Sequence, residues 1–224
     1  VARFMIVDLQ EAVTLIGGGP IVAELLTLAR SVAPRIVAAD GGAGVVLATG
    51  AVPEAIIGDM DSLDPKARAA FADRLYHIAE QETTDFEKCL TRIEAPLVIG
   101  VGFLGGRMDH SLASLNVLAR HRDRAVILLN EADVCCLVPQ GGLRLSLPVG
   151  MRLSLLPVGA GRLWTEGLRW NVEGAEMAPD GFVSISNEVA GEVTLRAEGP
   201  MLLAVPLEGF SAVVSSVQDA FRAG

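Results

Sequence analysis

The stretch Arg35-Ile36-Val37-Ala38-Ala39 runs straight into Asp40-Gly41-Gly42-Ala43, and Glu54-Ala55-Ile56-Ile57 runs into Gly58-Asp59-Met60-Asp61-Ser62. Each is a short apolar run, without polar alternation, that ends in an acidic, glycine-containing turn. A run of this kind suits a strand covered on both faces, as in a parallel sheet. Similar runs occupy residues 12–16, 97–101 and 125–129. Segments with helical spacing separate them at 21–29, 65–73, 84–93 and 109–120. The alternation predicts an α/β unit, a mainly parallel sheet flanked by helices.

After Asn130 the rhythm changes. Short apolar or alternating runs recur at 134–138, 143–147, 152–157, 182–186, 192–197 and 201–205, punctuated by Gly141-Gly142, Pro148-Val149-Gly150 and Glu198-Gly199-Pro200. This predicts an antiparallel all-β domain, sandwich or barrel-like, over residues 131–207. The remaining stretch, 208–224, is a tail in which 211–222 has helical spacing, with Val213, Val214, Val217 and Phe221 on one side. The expected organisation is therefore 1–130, 131–207 and 208–224.

Composition narrows the function. Hydrophobic residues make up 51% of the 224 and charged residues 20%, enough for a real core. Eighteen basic against 27 acidic residues leave a net charge of −9, which disfavours nucleic acid and anionic membrane as partners. Aromatics, at 4%, leave little for base stacking. No apolar run approaches the ~18 residues of a membrane span. The opening ten residues, interrupted by Asp8, do not resemble a secretory signal. Three cysteines, Cys89, Cys135 and Cys136, imply no disulfide framework. A cytoplasmic protein is expected.

The aspartates carry the chemistry. Asp40 closes one strand, Asp59 and Asp61 follow the next, Asp85 opens a helix in Thr84-Asp85-Phe86-Glu87-Lys88, and Asp109 follows Gly105-Gly106-Arg107-Met108. In open α/β sheets, ligands bind beyond the carboxyl ends of the strands. Carboxylates converging there repel one another and call for a cation. An all-oxygen ligand set of this kind suits Mg²⁺, which bridges to substrate phosphates. In an extended segment, Asp59 and Asp61 would project to one side. The plainer reading of that segment is a solvated turn in which an aspartate caps a helix starting near Asp64-Pro65. Asp85 and Lys88, three apart on a helix, can serve a metal and a phosphate, or form an ordinary surface ion pair. Arg107 can hold phosphate oxygens bidentately, although its glycine-rich loop also suits a long surface connection. Gly17-Gly18-Gly19-Pro20 is neither a dinucleotide fingerprint nor a Walker motif. His77, His110 and His121 adjoin no activated serine, and Cys89 reads as a core thiol.

Taken in order, Ala39-Asp40-Gly41-Gly42-Ala43, Ile57-Gly58-Asp59-Met60-Asp61-Ser62, Thr84-Asp85-Phe86-Glu87-Lys88 and Gly105-Gly106-Arg107-Met108-Asp109-His110 resemble the thiamine pyrophosphokinase family. Thr165-Glu166-Gly167-Leu168-Arg169-Trp170-Asn171 and Ser184-Ile185-Ser186-Asn187 resemble that family's vitamin-binding segments. Gly44 stands where the family often has Asn, Met60 where Phe is common, and Glu80 and Glu82 where it has aspartates.

The resemblance implies a Mg-dependent transfer of diphosphate from ATP to the thiamine hydroxyl, giving thiamine diphosphate and AMP. It makes 1–130 a nucleotide-binding catalytic domain and 131–207 a thiamine-binding domain. By resemblance, Asp40, Asp59, Asp61 and Asp85 bind Mg²⁺ and the triphosphate, and Asp59, Asp61, Asp85 and Lys88 are catalytic. Asp40, Gln81, Lys88, Arg107 and Asp109 form the nucleotide site. Trp170 stacks on thiamine, with Ser186 and Asn187 nearby; from composition alone, Trp170 is a half-buried sheet aromatic. The family also implies a homodimer, with the vitamin site where the β half of one chain meets the α/β half of the other. Two rivals remain: a pyrophosphokinase acting on a hydroxymethyl-dihydropterin, and a non-catalytic thiamine or nucleotide binding module.

Overall fold

The structure, a computed structural model, describes residues 4–223. Residues 1–3 and Gly224, the extremities of the expected first domain and tail, lie outside the described residues. Two compact units are present, one ending at Val117 and including Leu128–Glu131, the other comprising Leu118–Ile127 and the chain from Ala132 onward.

The first unit holds β1 (Val7–Asp8), β2 (Val13–Ile16), α1 (Ala23–Val32), β3 (Arg35–Ala39), α2 (Gly42–Ala48), β4 (Ala55–Gly58), α3 (Pro65–Ala70), β5 (Leu75–His77), α4 (Asp85–Leu90), β6 (Ile93–Glu94) and β7 (Val98–Val101). α5 (Met108–Arg120) and β8 (Val126–Leu129) have residues in both units. β7, β2, β3, β4 and β5 are neighbours in that order, all parallel. Every residue of β2, β4 and β7 is buried, which is why these strands show no polar alternation. The short pair β1–β6 is also parallel. α3 starts where Asp64 accepts from the N–H groups of Lys66 and Ala67, with Pro65 at the first helical position.

Helix α2 is not expected from its glycine-rich sequence. A Cβ on Gly42 would stand 2.1 Å from the Ile16 carbonyl oxygen. The start of α2 is thus pressed onto the end of β2, and contact rather than helix propensity selects glycine there.

The second unit holds β9 (Asp133–Leu137), β10 (Leu143–Leu145), β11 (Arg152–Pro157), β12 (Gly161–Leu168), β13 (Ala175–Met177), β14 (Ser184–Glu198), β15 (Met201–Pro206) and α6 (Phe210–Ala223). All its strand pairs are antiparallel, in the order β9-β15-β11-β14-β12-β13, with β10 also on β14. Where two runs are expected at 182–186 and 192–197, one strand of 15 residues, β14, passes through both. Its first part pairs with β11 and its later part with β12 and β10. β12 is hidden in the sequence by Gly161 and Gly167, where a Cβ would meet the β14 carbonyl oxygens of Glu198 and Glu192 at 1.8 and 1.9 Å. α6 buries Phe210, Val213, Val214 and Val217, and the Ser216 hydroxyl donates to the Arg144 carbonyl. The molecule is therefore mixed α/β, a parallel sheet followed by an antiparallel region.

Candidate active site

The carboxyl ends of the parallel strands open into a cleft of about 750 Å³ within the first unit. One wall is backbone: Cβ atoms on Gly17 and Gly19 would each lie 2.6 Å from the Gly102 carbonyl oxygen, so the loops after β2 and β7 touch main chain to main chain. Asp59, Asp85, Lys88, Gln81 and Arg107 also line the cleft.

Asp40, Asp59 and Asp61 each offer a carboxylate oxygen within 4.8 Å of the others. Asp40 is 1% exposed and takes a left-handed backbone, φ 33°, at the end of β3. Its Oδ2 accepts from the Ser62 N–H at 3.0 Å, whereas its buried Oδ1 has no hydrogen-bond partner among the described residues. Asp61 takes a bond from the Ser62 hydroxyl, 2.8 Å, and its N–H donates to Asp59 Oδ1 at 3.3 Å. The segment is not the extended one expected. Met60 has φ 67°, so the two carboxylates converge through a turn. Left-handed backbone at a non-glycine residue costs about 1–3 kcal/mol and concentrates at functional sites. Helix capping falls to Asp64, which leaves Asp59 and Asp61 to the carboxylate cluster.

Asp85 stands outside this trio and joins it through Lys88. The Lys88 ammonium, 1% exposed, donates to Asp59 Oδ2 and Asp85 Oδ1, both at 3.0 Å. The pair Asp85–Lys88 is thus no ordinary surface pair. Gln81 Nε2 donates to the same Asp59 oxygen at 3.0 Å. Arg107 and Asp109 are exposed and grip each other, Nε to Oδ1 at 3.1 Å and Nη2 to Oδ2 at 2.6 Å. Glu80 is turned inward on its own loop, accepting from the N–H groups of Glu82 and Thr83 and the Thr83 hydroxyl. Ser62, a partner of two of the three carboxylates, and Gly58 are the site residues that residue-type reasoning left without a role. A Cβ on Gly58 would lie 2.8 Å from Asp40 Cβ and 3.1 Å from Asp85 Oδ1.

The charges are tuned in opposite directions. Burial pushes the Asp40 carboxyl up to about 6; the Ser62 N–H opposes this, and the charges of Asp85, Asp59 and Asp61 reinforce it. Hydrogen bonding from Lys88 holds Asp59 down at about 2, against burial and with help from Gln81. Burial pulls Lys88 down, but its hydrogen bonds to Asp59 and Asp85 outweigh that and leave it above its ordinary value.

A stability effect follows from the Asp40 shift. A carboxyl raised from 3.8 to about 6 on folding contributes stability below pH ~4 that is lost as pH rises through 6. Two pKa units correspond to roughly 3 kcal/mol. In urea unfolding with EDTA, wild type should lose about that much more than Asp40→Asn between pH 4 and pH 7. Parallel pH profiles would contradict it.

In the second unit, Asn187 is buried at the β14 segment facing the turn after β12. Its Oδ1 accepts from the Trp170 N–H at 3.2 Å and its Nδ2 donates to the Trp170 carbonyl at 2.7 Å. The Trp170 side chain, 56% exposed, carries the Arg169 guanidinium 4.8 Å from its ring centroid. Ser186, φ 55°, donates its N–H to Ser154 Oγ at 3.0 Å where the β11–β14 register shifts. The structure thus joins Trp170 to Asn187 through the backbone and places Ser186 in the adjoining bulge.

Residues 27–129 match the family "Thiamin pyrophosphokinase, catalytic domain", and residues 143–202 match "Thiamin pyrophosphokinase, vitamin B1 binding domain". Thiamine pyrophosphokinase 2 of Oryza sativa subsp. japonica is 33% identical over 180 residues, covering 71% of this chain and 67% of that protein. The chain belongs to the thiamine pyrophosphokinase family. Thiamine pyrophosphokinases are enzymes, and the pterin-directed and non-catalytic alternatives are not favoured. Solved members share the fold. Thiamin pyrophosphokinase from Candida albicans superposes with TM-score 0.76 at 19% identity, covering 88% of this chain and 89% of that one. Yeast thiamin pyrophosphokinase gives 0.74 at 19% identity, covering 94% and 89%.

Proposed function

We propose that this chain transfers diphosphate from ATP to the hydroxyethyl oxygen of thiamine, releasing AMP. The observation that carries the reading is the convergence of Asp40, Asp59 and Asp61 within 4.8 Å at the strand ends, in a chain of this family. The donor set fits a hard divalent cation: three carboxylates at close quarters, one with a buried oxygen that no described residue satisfies. Asp40, Asp59 and Asp61 would hold Mg²⁺, with Asp85 beside them. The ion, when bound, supplies positive charge to the phosphate oxygens.

The remaining residues position and neutralise. Lys88 holds Asp59 and Asp85 in fixed orientation, so its role is to order the carboxylates as well as to add positive charge. Gln81 fixes Asp59 from the open side. Arg107 exchanges its exposed partner Asp109 for phosphate oxygens when nucleotide enters the cleft. The thiamine oxygen attacks the β-phosphorus, the bond from that phosphorus to the α–β bridging oxygen breaks so that AMP leaves with that oxygen, and Asp61 or Asp85 accepts the alcohol proton. Offering thiamine and 6-hydroxymethyl-dihydropterin together with ATP and Mg²⁺ tests substrate choice. Only thiamine should be consumed; pyrophosphorylated pterin would contradict the assignment.

The first unit is the nucleotide-binding catalytic domain in this reading, and the second is the vitamin-binding domain. Trp170 offers its ring to the thiazolium cation, in place of or opposite to Arg169, with Ser186 and Asn187 shaping the turn that carries it. The second unit also exposes Phe182, Val183 and Ile185, which supports a homodimer that covers them. Three buried free thiols suit a cytoplasmic location. Among the described residues, no helix is long and apolar enough to cross a membrane.

Trp170→Ala should weaken thiamine binding by roughly 1–2 kcal/mol and leave ATP affinity nearly unchanged, as calorimetry would show. Equal losses for both ligands would make Trp170 a fold residue. Mixing Trp170→Ala with Asp59→Asn chains then tests the assembly. Random exchange into dimers with shared sites makes about a quarter of all sites wild type in composition. A mixture no more active than the mean of its parents, with exchange verified, would place the site within one chain.

A further inference from the structure

We propose that Arg68 is a positioning residue for the carboxylate trio, acting through the peptide that links Met60 to Asp61. The inference rests on the reading of that trio as a cation site. Arg68 Nη2 donates to the Met60 carbonyl oxygen at 2.9 Å. The carbonyl of Met60 and the N–H of Asp61 belong to one planar trans peptide and point in opposite directions. Holding the carbonyl toward α3 therefore aims the N–H the other way, where it donates to Asp59 Oδ1 at 3.3 Å.

The turn needs such an anchor. Met60 is buried and left-handed at φ 67°, a conformation unfavourable for a residue with a Cβ. Rotation of this peptide out of the left-handed arrangement would turn the Asp61 N–H away from Asp59 and part the two carboxylates. The other bonds hold the flanks: Ser62 ties Asp40 and Asp61, while Gln81 and Lys88 tie Asp59. Arg68 acts on the peptide between them. It is itself placed by α3, whose start is fixed by the Asp64 cap and by Pro65, and the Arg68 N–H bonds back to the Asp64 carbonyl at 2.8 Å. The segment from Asp59 to Arg68 is thus one closed device, in which the helix that follows the acidic turn braces it.

The test measures Mn²⁺ binding by electron paramagnetic resonance on the full chain with α,β-methylene-ATP, whose α–β bridge does not cleave. Arg68→Met should bind Mn²⁺ about 10–100-fold more weakly, as for other supports of metal ligands. Its thermal midpoint should stay near that of wild type. Adding Met60→Gly should recover most of the loss, because glycine adopts positive φ without an anchor. If Arg68→Met fails to fold, Arg68→Lys takes its place, with a smaller loss and the same recovery by Met60→Gly. Unchanged Mn²⁺ affinity overturns the proposal, and so does a loss that Met60→Gly leaves in place, which would make Arg68 a remote charge. Wild type that binds no Mn²⁺ overturns the cation site itself and the proposal with it, a result distinct from the other two.

Discussion

Asp61→Asn should lower turnover by about three orders of magnitude, roughly 4 kcal/mol of transition-state stabilisation, with the fold intact. The substitution keeps volume and shape, and the amide oxygen still accepts from the Ser62 hydroxyl. What it removes is one negative charge from three that converge within 4.8 Å. The expected loss is in kcat, because charge neutralisation at the phosphates matters most as the β-phosphorus is transferred. Single-turnover rates at saturating ATP and thiamine measure it directly. A variant that keeps more than about a tenth of the wild-type rate, a loss below ~1.4 kcal/mol, would show Asp61 to be peripheral.

Lys88→Met should be nearly as damaging and should also weaken the fold. The ammonium is fully buried and sits between Asp59 and Asp85, and removing it leaves two carboxylates without their cation beside Asp40 and Asp61. Breaking a fully buried pair costs roughly 3–5 kcal/mol. Asp59 and Asp85 keep 13% and 31% exposure, so water and protonation recover part, and about 2 kcal/mol is the expected loss at pH 7. The sign with pH is fixed by Asp59. Its depressed value of about 2 contributes stability above the ordinary carboxylate range, lost as pH falls toward 2. The deficit of Lys88→Met should therefore be largest at neutral pH and shrink in acid, as urea unfolding at pH 7 and pH 3 would show. A deficit of equal size at pH 7 and pH 3 would mean that Lys88 supports packing rather than charge.

The parallel strands were legible because both faces are buried and their residues are apolar throughout. Elements built on close backbone contact were not. Helix α2 begins with Gly42, and β12 contains Gly161 and Gly167, residues that propensity reads as breaks. In each case a carbonyl oxygen occupies the space a Cβ would need, a fact about the neighbouring strand that the local sequence does not contain.

The site divides in the same way. Asp40, Asp59 and Asp61 were legible from their places at strand ends. The route by which Asp59 and Asp61 converge was not, because Met60 carries no mark of its positive φ. Nor was the burial of Lys88, which the i, i+3 spacing to Asp85 cannot distinguish from a surface pair. Glu80 shows the converse: an acidic residue in the right loop whose carboxylate is consumed by its own turn.

The most direct measurement of the central claim is to incubate the protein with thiamine, ATP and Mg²⁺ and follow every product by mass. Thiamine diphosphate and AMP should appear in equal amounts, and EDTA should abolish both. Thiamine monophosphate with ADP would place the attack on the γ-phosphorus and contradict the account, as would the absence of any phosphorylated thiamine.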